Sequence, residues 1–355
     1  MIWAWICFIG FVLGMLALDL GVFHRKAHVV SVREAVGWSL FWVALGLSFS
    51  VFVYFAYDAQ WFGLGMGIDP VDGLINDGSA AVEKYLTGYV VEKSLSVDNI
   101  FVISMIFASF AVPPIYQHRV LFWGILGALL MRGLMIAIGA QLIARFHWVL
   151  YVFAAFLIIT AIRMMFMDDK HGDPNDNRVV RLARRFWPVT TRYHGQHFFV
   201  RAGTRHATES AVPGEAAIRD DVAEGARPGA ILLTPLALAL IMVETTDLIF
   251  AVDSIPAIFA ITGDPFLVFT SNVFAILGLR SLYFALAGMV DKFHYLKPAL
   301  ALVLLVVGIK MLIASWLKEV LGKHFNLYLL AVVLLILAGG VIASLIASKR
   351  NSQAT

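Results

Sequence analysis

Residues 92–100 read Glu-Lys-Ser-Leu-Ser-Val-Asp-Asn-Ile, and residues 247–255 read Asp-Leu-Ile-Phe-Ala-Val-Asp-Ser-Ile. In both stretches an acidic residue stands six positions before the Asp of a Val-Asp-polar-Ile sequence, inside a long apolar segment. A carboxylate near the centre of a bilayer costs at least ~2.5–3.5 kcal/mol, so acids are rarely kept there without a role. One acidic pattern that recurs in two apolar segments therefore predicts two related helices with a shared function.

Two further matches follow these stretches in the same order. Leu-Leu-Met-Arg132 corresponds to Leu-Gly-Leu-Arg280, and Ile-Arg163-Met corresponds to Ile-Lys310-Met. The offsets between the two halves are 155, 148 and 147 residues, so three successive segments share nearly the same spacing. This pattern predicts a duplicated three-helix unit.

The composition indicates an integral membrane protein. Of 355 residues, 60% are hydrophobic and 14% are charged, whereas a soluble domain carries about 25% charged residues. Apolar runs of about 18 residues or more can cross a hydrocarbon core of ~30 Å as helices. Barrel strands are shorter and alternate in polarity, so these runs predict an all-α membrane fold. We expect nine spans, at 2–22, 35–57, 80–111, 115–141, 147–167, 231–261, 265–290, 297–316 and 326–347.

The distribution of basic residues predicts the orientation of these spans. If the N-terminus lies outside, the inner connections hold eighteen Lys and Arg residues and the outer connections hold four. Cytoplasmic loops are enriched in Lys and Arg, so the N-terminus should be outside and the C-terminus inside. Spans 3 and 6 then run in opposite directions, and spans 3–5 and 6–8 form a 3 + 3 inverted repeat, an architecture found in many secondary transporters.

These considerations divide the chain into five parts. The first is two N-terminal spans with an outer acidic loop, and it is followed by the first repeat, a basic cytoplasmic linker, the second repeat, and the last span with its tail. The corresponding ranges are 1–79, 80–167, 168–230, 231–316 and 317–355. Within the linker, residues 203–229 have few large apolar side chains and should be mobile. The Arg178–Arg185 run is either a solvated loop or a surface helix attracted to anionic lipid.

The predicted spans contain several polar groups that could bind a cation. The candidate ligands are Glu92, Asp98, Asn99, Glu244, Asp247 and Asp253. The candidate charge-compensating residues are Arg132, Arg163, Arg280 and Lys310. Acids and bases could simply neutralise one another, but that alternative does not explain why the acids cluster in two equivalent helices. Asp98 and Asp253 hold equivalent positions, and Pro256 predicts a break in span 6 that would help its acids face one cavity.

The chemistry of these side chains limits the substrate. All ten histidines lie in predicted loops or at span ends, and the single cysteine, Cys7, is far from the repeats in sequence. The predicted site therefore offers oxygen ligands, which suit hard cations such as Mn(II), Mg²⁺ or Ca²⁺. By contrast, Asp58 and Asp72 fall in the outer loop, where replacement by Asn should be nearly silent.

The same motifs resemble the TerC family of integral membrane proteins, and within it the Alx-like members. The resemblance rests on Leu18-Asp-Leu-Gly21, on the 92–99 stretch, and on Glu244-Thr-Thr-Asp247 through Asp253-Ser-Ile-Pro256, followed by Asn272 and Leu279-Arg280. It covers nearly the whole chain outside the cytoplasmic loop and tail. It implies a bacterial inner-membrane protein of the kind associated with manganese export, metal homeostasis and tellurite resistance, with Mn(II) as substrate.

Two functional hypotheses follow. The first is an exporter of a hard divalent cation through a midplane carboxylate site, with protons as a candidate counter-ion. The second is a non-transporting scaffold or stress-response factor that serves tellurite resistance, a redox partner or secretion. An enzyme is not expected, because the sequence has no nucleotide-binding loop, nucleophile elbow or metal-hydrolase motif. We likewise expect no bound cofactor and no nucleic-acid partner; the expected partners are the metal ion and the lipid bilayer.

Overall fold

The computed structural model describes residues 1–18, 31–166, 177–202, 222, 225–286, 295–322 and 325–354, and these are predominantly helical. The N-terminal half contains α1 (Ile2–Leu18), α2 (Val32–Asp58), α3 (Gly78–Ser109), α4 (Pro114–Arg145) and α5 (Val149–Phe166). The central segment contains α6 (Arg178–Phe186), β1 (Phe199–Arg201) and β2 (Ile231–Leu233). The C-terminal half contains α7 (Pro235–Phe259), α8 (Pro265–Leu277), α9 (Leu279–Leu286), α10 (Leu296–Leu312), α11 (Ala314–Leu321) and α12 (Phe325–Ala354).

Several helices begin where the sequence supplies a cap or a proline. Asp77 caps α3 by accepting a hydrogen bond from the Ala80 amide, and Thr234 caps α7 by accepting from Ala237. A side-chain oxygen at this position satisfies one of the free amides of the first turn. Proline opens α4, α7 and α8, where its missing amide would have no helical partner in any case.

Each predicted span contains helix among the residues that the structure describes, and the number of membrane crossings stays a prediction. Six segments of the described chain are long and apolar enough to cross a membrane, namely Val32–Asp58, Pro114–Arg145, Val149–Phe166, Pro235–Phe259, Pro265–Leu286 and Phe325–Lys349. The helices α1 and α10 have 17 residues each, which is short for a crossing. Helix α3 has 32 residues, but five of them are charged: Glu83, Lys84, Glu92, Lys93 and Asp98.

The predicted break in span 6 is wrong. Helix α7 continues through Pro256 and ends three residues later, at Phe259. Pro256 lies in the last turn, where it removes the bond that its amide would have made to the Val252 carbonyl, and the helix ends within one turn of it. The interruption occurs instead in span 7, where Gly278 separates α8 from α9.

Helix α3 lies at the centre of the bundle and packs against α2, α7, α8 and α12. Helix α4 packs against α7 and α8, and α5 packs against α10 and α7. Glycines allow the closest approaches. A Cβ at Gly88 of α3 would lie 3.0 Å from Ser271 Oγ of α8, and one at Gly308 of α10 would lie 3.2 Å from Leu157 Cβ of α5.

Two segments cover the ends of the bundle, and each immediately precedes the first helix of a predicted repeat. We call residues 64–77 the α3 cap and residues 188–202 with 230–234 the α7 cap. In the α3 cap, Asp69 accepts a hydrogen bond from the Gly263 amide in the turn between α7 and α8. In the α7 cap, Tyr193 donates to the Phe110 carbonyl in the turn between α3 and α4. The start of α3 therefore lies beside the end of α7, and the two helices are antiparallel.

The α7 cap is built around the small sheet. Strands β1 and β2 are antiparallel, with Val200 opposite Leu232. The Thr234 hydroxyl, which caps α7, also donates to the His197 carbonyl at 2.8 Å. On the other side Arg119 of α4 donates to Gln196 at 3.2 Å, which fixes the cap against the α3–α4 turn.

Candidate functional site

A cavity of about 50 Å³ lies among α3, α4, α5, α7 and α10. It has room for roughly four water molecules at 10–15 Å³ each, or for one ion with part of its hydration shell. Its apolar lining includes Leu95, Met164, Phe250 and Leu304. Its polar lining consists of Glu92, Asp98, Asn99, Arg132, Thr160, Asp253 and Ser254. Two carboxylates from α3 and one from α7 thus face one small space.

Arg132 of α4 is the most highly connected side chain at this cavity. Its Nη2 lies 2.9 Å from Asp247 Oδ1 and its Nε lies 3.3 Å from Asp247 Oδ2, so the guanidinium forms a bidentate ion pair with that carboxylate. Its Nη1 is paired with Glu92 and also lies 3.3 Å from Ser254 Oγ. The Arg132 and Glu92 side chains are 2% and 1% exposed, so this ion pair is buried.

Asp253 has a different neighbourhood on the other side of the cavity. Thr160 of α5 donates to its Oδ1 at 3.3 Å, and the positive charge of Arg163, one turn further along α5, acts on the same carboxylate. Asp98 of α3 lines the same cavity. The two aspartates that occupy equivalent positions in the sequence repeat are therefore brought to one site.

Asn99 supplies a further sign that the cavity is built for a polar ligand. Its side chain is buried and lines the cavity, and its Oδ1 has no hydrogen-bond partner among the described residues. An amide oxygen buried in this way costs about 1–3 kcal/mol unless something supplies a donor or a cation. An ion or its hydration water in the cavity would satisfy Asn99 Oδ1.

The carboxylates are nevertheless not assembled as a ready-made metal site. Within the part of the chain that the structure describes, no three His, Cys, Asp or Glu side chains converge closely enough to hold a metal ion. The reason is visible at Arg132, whose guanidinium occupies the space between Glu92 and Asp247. A divalent cation at these two residues would have to replace that guanidinium.

Glu244 lies one turn before Asp247 on α7, outside the cavity lining. The side chain is half-buried and its carboxylate rests directly against Gly127 of α4, where a Cβ atom would overlap it. The predicted ligand Glu244 is therefore near the site but not at the cavity. Glycine at position 127 provides the space that this carboxylate occupies.

The four predicted charge-compensating residues do not act as one set. Arg132 and Arg163 act on the carboxylates of the site, as described above. Arg280 instead has its Nη1 3.0 Å from His118 Nε2. Lys310 donates to the Ala260 carbonyl at 2.7 Å and sits 5.0 Å above the Phe325 ring. Both side chains point to helix ends rather than to the cavity, a placement that local spacing could not reveal.

Sequence reasoning also missed a second buried ionic cluster, in the α3 cap. Lys84 Nζ lies 2.8 Å from Asp69 Oδ2 and 2.7 Å from Asp72 Oδ2, and all three side chains are at most 1% exposed. Burial alone would raise the pKa of Asp69. The charge of Lys84 and the hydrogen bonds from Lys84, Thr262 and Val71 outweigh burial, so the pKa lies below its ordinary value. The expectation that Asp72 is an exposed loop residue is therefore wrong. One feature of the sequence could have indicated this cluster: Lys84 is a single lysine in the first turns of a helix that follows an acidic loop.

The chain is similar to several known proteins. The family described as "Integral membrane protein TerC family" matches residues 78–352. An "Uncharacterized membrane protein STKORF319" of Myxococcus xanthus is 47% identical over 345 residues, which is 97% of this chain and 92% of the relative. The "Putative membrane-bound redox modulator Alx" of Escherichia coli K12 is 42% identical over 303 residues, 85% of this chain and 83% of the relative. No solved structure matches. The chain is a member of the TerC family of integral membrane proteins.

Proposed function

We propose that this chain is a transporter that exports a hard divalent cation, Mn(II), through the cavity lined by Asp98 and Asp253. The observation that carries the proposal is that equivalent aspartates of two sequence repeats line one small cavity. Transporters with inverted repeats bind their substrate at the interface between the repeats. A scaffold would have no use for such a duplicated acidic site within lipid.

The charges around the cavity favour a cation as the substrate. Four carboxylates belong to this region, Glu92, Asp98, Asp247 and Asp253. Three positive charges act on them, those of Lys93, Arg132 and Arg163. The carboxylates therefore outnumber the basic groups. Because carboxylates can take up protons when the cation leaves, we propose protons as the counter-ions.

The ligands favour a hard metal. The cavity offers carboxylate oxygens, the Asn99 amide oxygen and the Thr160 and Ser254 hydroxyls. Hard cations prefer such oxygen sets, whereas Cu(I) and Zn(II) prefer thiolate or imidazole. This chemistry supports a hard divalent ion as a class. The choice of Mn(II) within that class rests on the family resemblance.

The arrangement of helices supports the inverted repeat. The contacts between helices come in pairs that a two-fold axis would relate. Helix α3 packs on α8, and their counterparts α7 and α4 also pack together. Each helix also contacts its own counterpart: α3 contacts α7, α4 contacts α8, and α5 contacts α10. A two-fold axis that relates α3–α5 to α7, α8 and α10 would produce this set of neighbours. The axis would lie in the membrane plane, in a bacterial inner membrane, with nine spans, the N-terminus outside and the C-terminus inside.

The two predicted repeats differ at one pair of equivalent arginines, and this difference supports alternating access. Arg132 reaches the cavity, whereas its counterpart Arg280 contacts His118. Two repeats in different conformations can exchange roles around a fixed site, which is how inverted repeats expose that site to each side in turn.

The second candidate is a non-transporting role in stress response, with a redox or secretion partner, and the name carried by the Escherichia coli relative favours it. A direct dithiol mechanism would need a thiol from another protein, since Cys7 is the single cysteine of this chain. In neither candidate do we assign the chain an enzymatic activity.

The deciding experiment is ion flux into proteoliposomes that contain the purified chain. Mn(II), Mg²⁺, Ca²⁺ and Zn²⁺ are each presented with and without a pH gradient, and vesicles without protein serve as the blank. We expect Mn(II) flux that is saturable, exceeds Zn²⁺ flux and is accompanied by proton movement in the opposite direction. Flux equal to the blank for all four ions would support the scaffold instead.

A further inference from the structure

Helix α6 is a basic amphipathic helix outside the two repeats. Asn177 caps it by accepting a hydrogen bond from the Val179 amide at 2.9 Å, so it begins at a defined residue. Four of its nine residues are arginine: Arg178, Arg181, Arg184 and Arg185. Between them stand Leu182 and Phe186, with Trp187 directly after the helix, and these three side chains are 54%, 66% and 51% exposed.

The side chains of α6 are sorted into separate faces. Val180 and Ala183 are buried and form the face that packs on α7. At 100° per residue, Arg178, Arg181 and Arg185 fall within roughly 60° of arc on the opposite face. Leu182 and Phe186 occupy the flank that adjoins these arginines. An exposed apolar flank beside an arginine face is the arrangement of helices that lie in the interface of a membrane.

Helix α6 lies beside the start of a candidate membrane-spanning helix. It packs on α7, a helix long and apolar enough to cross a membrane. Arg184 shares a cleft of about 620 Å³ with Pro235 and Leu238, the first residues of α7, and with Thr190 and Tyr193 of the α7 cap. Arg184 thus lies beside the first turn of α7. The ends of a membrane-spanning helix lie at the level of the lipid headgroups.

We propose that α6 is a binding surface for anionic phospholipid headgroups, in which the face of Arg178, Arg181 and Arg185 contacts the phosphates and Leu182 and Phe186 enter the acyl boundary. Each arginine near an anionic surface contributes ~1 kcal/mol, equivalent to about fivefold in affinity. This attraction is screened by salt beyond a Debye length of ~10 Å at 0.1 M. The proposal concerns a site distinct from the cavity and stands whether or not the chain transports an ion.

The test is amide hydrogen exchange of residues 178–187 in the full chain, reconstituted into vesicles of phosphatidylcholine alone or of phosphatidylcholine and phosphatidylglycerol in equal parts. We expect slower exchange in the vesicles with phosphatidylglycerol, and we expect the difference to shrink at high salt. In the variant Arg178→Gln, Arg181→Gln, Arg185→Gln, the affinity for the anionic surface should fall about fivefold for each arginine removed, so the extra protection in the phosphatidylglycerol vesicles should be lost.

Two controls make the outcome decisive. Arg145→Gln, at an exposed arginine at the end of α4, should keep full protection of the 178–187 segment. In phosphatidylcholine alone, the triple variant should exchange like the wild type, which shows that α6 remains folded. The proposal is overturned if the wild type exchanges equally in both vesicles or if the triple variant keeps its phosphatidylglycerol response. Equal protection by inorganic phosphate in phosphatidylcholine vesicles would also overturn it, since the site would then bind anions without lipid.

Discussion

Arg132 Nη2 lies 2.9 Å from Asp247 Oδ1, and this ion pair joins α4 of the first predicted repeat to α7 of the second. The same guanidinium is paired with Glu92 of α3. A single side chain therefore holds the acidic helices of both repeats together. Because it supplies a positive charge where the proposed substrate would bind, it stabilises the site in the absence of metal and competes with the metal for two carboxylates.

Replacement of Arg132 by Ala should destabilise the protein by ~3–5 kcal/mol, because it leaves Glu92 and Asp247 buried without their partner. The fraction that stays monodisperse after heating in detergent measures the effect. Adding Glu92→Gln to the Ala variant should recover part of the loss, since one stranded charge is removed. Arg163→Ala, at an exposed residue, should cost much less. Full stability of Arg132→Ala would contradict the buried pairing.

Asp98→Asn and Asp253→Asn should each abolish Mn(II) transport and leave the protein folded, because Asn keeps the shape of Asp and removes its charge. The readout is cellular manganese in a strain without its own exporters, with protein amounts checked by blot. Asp58→Asn is the matched control, since Asp58 is exposed at the end of α2. Asp72 cannot serve this purpose, because it is buried against Lys84. Manganese export by both mid-helix variants at the wild-type level would mean that these carboxylates are structural.

Gly127→Ala should reduce transport while it preserves the fold, because the new methyl group would displace the carboxylate of Glu244. The displaced group is the end of a flexible side chain, and Ala is a better helix former than Gly by ~1 kcal/mol, so we expect little loss of stability. Gly37→Ala, where a Cβ would meet no atom within 4 Å, is the control. Transport rates in proteoliposomes distinguish the two variants. Equal transport rates in the two variants would show that Glu244 does not contribute to the path of the ion.

Asp69 should make the protein sensitive to acid. Its pKa is lowered in the folded chain, so it contributes stability at pH values above its unfolded pKa of ~3.9, and this contribution is lost as the pH falls through the lower folded pKa. Burial raises the pKa of Asp264, so the contribution of Asp264 to stability changes with pH in the opposite direction. The comparison that isolates Asp69 is therefore the melting temperature of wild type and Asp69→Asn from pH 6 to 3. The difference between them should be largest at pH 6 and should shrink in acid; a constant difference would contradict the prediction.

The sequence was sufficient to predict the features that depend on local pattern. Long apolar runs located the helices, and the two acidic stretches led to the cavity that Asp98 and Asp253 line. Features set by distant contacts were not predictable. Arg132 and Arg280 occupy equivalent positions in the sequence, yet one binds carboxylates and the other contacts His118, because the neighbours come from different helices.

Burial of loop residues was unpredictable for the same reason. Asp69 and Asp72 belong to a short acidic segment that is typical of a solvated loop, and their burial depends on Thr262 and Gly263 in a turn far along the chain. At Pro256 the sequence predicted a feature that the structure does not have. A proline normally interrupts a helix, but here the helix was already ending, so the expected break did not occur.

The α3 cap has a consequence for the order in which the protein is assembled. Asp69 bonds to Thr262 and Gly263, which follow it by 193 and 194 residues. Because synthesis proceeds from the N-terminus, α3 to α5 enter the membrane before the turn that closes the cap exists. The carboxylates of the α3 cap, Asp69 and Asp72, must meanwhile remain hydrated or rely on Lys84. The α3 cap of the N-terminal half can therefore fold completely only after the C-terminal half has been made. In a chain truncated before residue 262 this cap would lack its partners and would be a site for proteolysis.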